Sequence, residues 1–124
     1  MNKKQILLNR QATMSKYHVP GMPTHCKRPR NAIYTTGGKA NSLRHEFWKL
    51  KVCRELKDLG QEYITEAVRN EPDPVTGKER RVDVVCLDDG TEYEIETDKK
   101  RAERFKGEKG VIVIKLWEIN EELI

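Results

Sequence analysis

The sequence predicts an α/β domain with the element order α-β-β-β-α-β and a mixed four-stranded sheet flanked by helices. Three observations carry that expectation: an amphipathic stretch over residues 42–59, a hairpin pattern over residues 81–97, and an apolar run at residues 111–117. In the first, Leu43, Phe47, Leu50, Leu56 and Leu59, with Val52 and Cys53, recur at helical spacing, while Lys and Arg fill the other side. Asn41 or Ser42 can accept a hydrogen bond from a free amide of the first turn, and Gly60 is placed to end the helix. In the second, Arg81 to Leu87 is rich in β-branched residues, and Asp88-Asp89-Gly90 supplies the tight turn because glycine takes a positive φ readily. Thr91 to Thr97 returns as the partner strand. The third, Val111 to Trp117, is nearly continuous in apolar residues, which suits a strand covered on both faces and paired in parallel.

The remaining elements follow from their breakers. Gln61 to Val68 reads as a strand, with Tyr63, Ile64 and Val68 as its apolar residues, and two prolines and Gly77 make a loop of residues 70–77. Asp98 can cap a short helix that runs to about Lys106 and ends near Gly107. Residues 1–40 differ from the rest: they contain no acidic residue and are rich in Lys, Arg, Thr, Pro and Gly. They read as a basic, largely irregular arm with one short helix near residues 3–14, ahead of a domain over residues 41–124.

At 124 residues the chain suits one core. Its net charge of +4 favours a polyanionic partner, since neutralising phosphates releases counterions. Three widely spaced cysteines without a CxxC pair argue against a disulfide framework and fit a reducing cytoplasm. Apolar runs are too short for an export signal or a membrane-spanning helix, so a soluble, cytoplasmic protein with no membrane partner is expected.

The chemistry lies in the returning strand. Side chains alternate along a strand, so Glu92, Glu94 and Glu96 share one face. Closing the hairpin at Asp88-Asp89-Gly90 brings Asp83 opposite residue 95 or 96, and the second register sets it beside Glu96 with Glu94 one step along. Such a row of carboxylates is equally what a solvated outer face presents. If they converge, their repulsion calls for a cation, and a hard divalent ion bound by oxygens answers it.

Helix, strand, a hairpin bearing Asp and then Glu-x-Glu, helix and strand: over residues 42–117 this order resembles the core of the PD-(D/E)XK, or restriction-endonuclease-like, nucleases. The resemblance implies that Asp83 is the hairpin aspartate and Glu94 the first acidic residue of the triplet, both binding Mg²⁺, for which Mn²⁺ can substitute. Glu96 stands where most members carry Lys, and would then act as base or further ligand. Glu46, on the first helix, matches a glutamate that often reaches the metal. The proline that often precedes the aspartate is replaced by Val82. A second register, Asp98-Lys99-Lys100, fits the D-x-K pattern literally, but Asp98 lies past the strand end and is better read as the helix cap. Lys99 or Lys49 could supply the missing cation, although Lys49, three residues after Glu46, also reads as an ordinary surface lysine.

The implied activity is metal-dependent hydrolysis of DNA phosphodiester bonds, structure-guided or weakly sequence-specific, with Glu46, Asp83, Glu94 and Glu96 as catalytic residues. Members often act as homodimers because two strands need two cuts, and compact chains of this kind are similar to nucleases of archaeal viruses and plasmids. Lys27, Arg28, Arg30, Lys39, Arg44, Arg80, Arg81 and Lys99 are the candidate contacts to DNA. His45 could touch metal or phosphate, although a histidine early in an amphipathic helix is commonly structural. The rival readings are a non-enzymatic nucleic-acid-binding module and a subunit of a nucleic-acid-processing complex.

Overall fold

A computed structural model of the chain describes residues 1–20, 31 and 43–119. Helix α1 spans Lys3–Met14, β1 Tyr17–His18, α2 Leu43–Asp58, β2 Tyr63–Arg69, β3 Arg81–Cys86, β4 Glu92–Glu96, α3 Lys99–Ala102 and β5 Val111–Lys115. The five strands form one mixed sheet in the order β1-β2-β3-β4-β5, antiparallel except for the parallel pair β4 and β5. The fold is therefore mixed α/β as expected, but the sheet has five strands rather than four. The additional strand comes from the basic arm: Tyr17 pairs with Arg69 and His18 with Val68. Two residues carry too little β pattern to be read from sequence, and their conformation is set by the strand they join. Asn41, Ser42 and the arm positions Lys27, Arg28, Arg30 and Lys39 lie outside the described residues.

Helix α2 ends as its sequence dictates. Gly60 adopts φ 75°, its amide donates to Lys57 O at 2.9 Å, and the Gln61 amide donates to Leu56 O at 2.9 Å. Together these bonds satisfy two carbonyls that the helix end would leave free. The hairpin turn also holds, and it anchors α1. Asp88 accepts from Arg10 Nε at 3.0 Å and from the Glu62 amide at 2.9 Å, fixing α1 to the turn and to the start of β2. Asp98 caps α3 by accepting from the Lys100 amide at 2.8 Å.

The core has two parts, one on each side of the sheet. On the α2 side, Val52, Cys53 and Leu56 pack against Val84 and Cys86, with Tyr63, Tyr93 and Ile114 at the margin. On the α1 side, Ile64, Ala67, Val82, Val85 and Leu87 pack with Met14 and Tyr17. Each fully buried Val or Leu side chain favours folding by about 1.5–3 kcal/mol. Strand β5 pairs in parallel as expected, but it is the sheet edge rather than a strand covered on both faces. Ile112 keeps 48% of its surface exposed, and the strand gives way at Leu116 to a 3₁₀ turn.

The two parts of the core expose a break in alternation. Val82 and Val84 are two residues apart on β3, yet they belong to opposite faces, and Ile64 and Ala67, three apart on β2, share one. Both irregularities meet at the same place. Thr65 pairs with Val84 and Ala67 with Val82, and between these rungs Glu66 adopts a left-handed φ of 53°. For a residue with a Cβ that conformation costs on the order of 1–3 kcal/mol and persists only where surrounding contacts enforce it. The kink turns Glu66 toward α2, where Lys49 receives it at 2.8 Å, and lets Asp83 approach His45 of the same helix at 3.3 Å.

Candidate active site

The β3–β4 ladder runs through Val85↔Glu92 and Val84↔Tyr93. Continued by one residue, this register sets Asp83 level with Glu94, not with residue 95 or 96. The longer loop closure accounts for the difference: the Cys86 amide donates to Thr91 O, so four residues rather than three separate the last bonded pair. At Asp83 a side chain replaces the backbone partner, since its Oδ2 accepts the Ile95 amide at 2.8 Å. A cleft of about 310 Å³ opens there. Five carboxylates line it, Glu66, Glu79, Asp83, Glu94 and Glu96, together with four guanidinium groups, Arg80, Arg81, Arg101 and Arg104, and with His45 and Phe105.

The acidic strand face is not a solvated one. Glu92, Glu94 and Glu96 are all buried. Glu94 is only 6% exposed, and its Oε1 accepts no hydrogen bond among the described residues, with Arg80 Nε 3.6 Å away. Burial first, and then the charge of Asp83, push its pKa up to about 9, against the partial relief that Arg80 gives. Glu96 Oε1 accepts from the amides of Thr97 at 3.2 Å and Asp98 at 3.3 Å, which holds the carboxylate at the exit of β4. His45 packs under Asp83. Burial works against its charged form, but the hydrogen bond to Asp83 and the charges of Asp83 and Glu46 outweigh it and raise its pKa.

Glu46 stands apart from this cleft. Its carboxylate meets Lys49 Nζ at 2.7 Å and 3.0 Å, and Lys49 bridges onward to Glu66. Lys49 is wholly buried, so the surface-lysine expectation fails: two carboxylates, one of them delivered by the kink in β2, compensate its charge. Among the remaining expected contacts, Arg80 and Arg81 line the cleft. Arg44 donates to Ile119 O at 2.8 Å, and Lys99 lines a different cavity beside Trp117. Sequence reasoning missed Glu66, Arg101 and Arg104. Glu66 carries no local signal for a left-handed residue, and the two arginines look like any exposed helix charges until β3 and β4 separate in front of them.

The donor set bears on which cation the cleft suits. Among the described residues no three His, Cys, Asp or Glu side chains converge into a metal cage. Asp83 and Glu94 offer two oxygen-bearing groups, one of them lacking a hydrogen-bonding partner at Oε1. Mg²⁺, which keeps several waters and is commonly held by one or two carboxylates plus substrate phosphate, asks for no more protein ligands than these two. Among the described residues no helix is long and apolar enough to cross a membrane. Comparison of the chain with protein-family models, with curated proteins and with solved structures gives no match.

Proposed function

We propose that the chain is a metal-dependent endonuclease that hydrolyses DNA phosphodiester bonds at the cleft between β3 and β4. The observation that supports this reading is Glu94: a buried carboxylate with one oxygen free of hydrogen bonds among the described residues and 3.6 Å from Arg80, next to Asp83, in a cleft rimmed by arginines. A group so placed is costly unless a cation joins it, and buried, perturbed carboxylates concentrate at functional sites. The acidic order along the chain, Asp83 then Glu94 and Glu96, resembles that of the PD-(D/E)XK nucleases.

Asp83 and Glu94 would hold Mg²⁺, which would supply charge stabilisation at the phosphate and ease deprotonation of water there. The Ile95 amide and His45 fix the Asp83 carboxylate from two sides. Glu96 accepts the proton of the attacking water, whose oxygen forms the new bond to phosphorus. The bond from phosphorus to the leaving oxygen breaks, and that oxygen takes a proton from solvent. Glu66, rather than Glu46, is the helix-side carboxylate of the cleft, and Lys49 holds it in place with Glu46 behind.

Purified protein incubated with supercoiled and with branched DNA in Mg²⁺, Mn²⁺ or EDTA, beside Asp83→Ala, tests the reading. Cleavage that needs metal and falls by about 10³-fold or more in the variant is the expected outcome, the scale of losing a group that acts in the transition state. Binding without cleavage in either metal would turn the assignment to a non-enzymatic nucleic-acid-binding module. Cleavage that survives Asp83→Ala would mean that the reaction occurs elsewhere on the chain.

A further inference from the structure

The four arginines of the cleft divide into two kinds. Arg80 is 8% exposed and is engaged by carboxylates on three sides: Glu108 at 3.1 Å, Glu94 at 3.6 Å and Glu92 at 3.8 Å. Its guanidinium also lies 4.2 Å from the centre of the buried Phe105 ring. Only the Glu108 contact is a hydrogen bond, but a phosphate reaching this buried group would compete with all three carboxylates, so Arg80 serves to neutralise the floor of the cleft. Arg101 and Arg104 are exposed, line the same cleft, and form no ion pair among the described residues. Arg101 lies in the short α3 segment, one residue before its end, and Arg104 follows three residues later in the 3₁₀ turn Glu103–Phe105, so both project from one side of it. Arg104 lies 5.4 Å from the Phe105 ring, the same ring that backs Arg80.

Resting on the nuclease reading, we propose that Arg101 and Arg104 are a phosphate clamp that holds the backbone of the bound nucleic acid against the carboxylate floor, without reading bases. Cations free of carboxylate partners, at the mouth of an acidic cleft, answer a specific difficulty of this site. A polyanion approaching Asp83, Glu94 and Glu96 is repelled, and fixed guanidinium groups at the rim offset that repulsion while positioning the strand. Planar guanidinium groups also match phosphate oxygens in pairs, which a lysine cannot do. Arg81, 3.8 Å from Glu66 on the other side of the cleft, leaves the clamp one-sided.

Fluorescence anisotropy with fluorescein-labelled duplexes of two unrelated sequences in EDTA, over a salt series, tests the clamp apart from the chemistry. Each of Arg101→Ala and Arg104→Ala is expected to lower the slope of log K against log salt by about 0.9, and the double variant by about twice that, equally for both sequences. Arg54→Ala, which removes an exposed arginine paired with Asp58 on α2, is the control for loss of charge alone and is expected to leave the slope unchanged. An undiminished slope in the double variant, or an equal change in Arg54→Ala, overturns the clamp even where the wild type cleaves DNA in Mg²⁺. A lowered slope confined to Arg101 and Arg104, together with no cleavage by the wild type in Mg²⁺ or Mn²⁺, keeps the clamp and overturns the hydrolysis reading instead.

Discussion

Glu92 and Glu94 stand two residues apart on β4, both nearly removed from solvent, in opposite surroundings. Glu92 accepts from Tyr17 Oη at 2.5 Å and from Arg69 Nε at 2.8 Å, and Arg80 lies within 3.8 Å. Glu108 joins the same network through Arg69 and Arg80. Tyr17, whose pKa is raised by burial and by the bond to Glu92, stays a proton donor throughout the neutral range. Glu94 Oε1 has no hydrogen bond among the described residues, Arg80 lies 3.6 Å from it, and the group faces Asp83. A cavity of about 660 Å³ lies beside Glu92, between Lys16, Arg69 and Lys109, and one of about 310 Å³ lies beside Glu94. Size therefore points one way and chemistry the other. A buried carboxylate whose partners are complete is a structural joint, here tying β1, β2 and β4 together. One whose hydrogen bonding is incomplete is, under the proposed function, the place where a cation binds.

The contrast is broken most forcefully at Glu92. Glu92→Ala strips a buried carboxylate from Arg69 and Tyr17 and is expected to destabilise the fold by about 3 kcal/mol, the scale of leaving a buried charge without its partner. Urea unfolding measures this directly, and cleavage per folded molecule should persist. A loss below about 1 kcal/mol would show that the network contributes little and that Glu92 resembles Glu94 more than its bonds suggest.

Glu94 is expected to behave in the reverse sense. Its folded pKa, about 9, lies above the 4.5 of an unburied glutamate, so the folded state binds this proton more tightly than the unfolded chain. The stability this lends is complete below about pH 4.5 and is lost as the pH rises through about 9. His45 adds a slope of the same sign, because its pKa is raised as well. The difference between wild type and Glu94→Gln isolates the first effect. Without metal, the variant should gain on the wild type with rising pH, by roughly several kcal/mol at the alkaline end, and with metal it should lose cleavage. Urea midpoints across the pH range check it. A difference that stays flat with pH would mean that Glu94 is ionised in the fold without penalty, and its claim to be an incomplete site would fall.

Much of the frame of this site is legible in the sequence, and the reasons are local. Gly60 ends α2 through its own φ, Asp88-Asp89-Gly90 closes the hairpin, Asp98 caps α3, and the apolar run from Val111 finds β4 in parallel. The convergence of acidic residues was readable only in outline. The hairpin register came out one step from the nearer expectation, because loop length depends on which backbone bond closes the turn. Glu66 was hidden for a different reason. Its approach to α2 is to Lys49, seventeen residues away, and Lys49 in turn is compensated by both Glu66 and Glu46. Neither residue has a local signal, since each is explained by the other. β1 was lost in the same way, being a two-residue strand that exists through its pairing with β2.

The finest test of the comparison concerns which carboxylate belongs to the chemistry at the end of β4. Asp98 lies two residues beyond Glu96, and Asp98-Lys99-Lys100 matches the D-x-K pattern more literally than Glu94-Ile95-Glu96 does. The structure engages the Asp98 side chain with the Lys100 amide at 2.8 Å, and Asp98 does not line the cleft. Asparagine caps a helix about as well as aspartate, so Asp98→Asn should change stability by no more than a few tenths of a kcal/mol and leave metal-dependent cleavage intact. Asp98→Ala, which removes the cap, should cost about 1 kcal/mol, the usual scale for a lost helix cap. Thermal melts and the cleavage assay read the two effects separately. Loss of cleavage in Asp98→Asn with the fold unchanged would move the acidic centre out of the buried face of β4, and Glu94 would then be a buried carboxylate with no cation to receive.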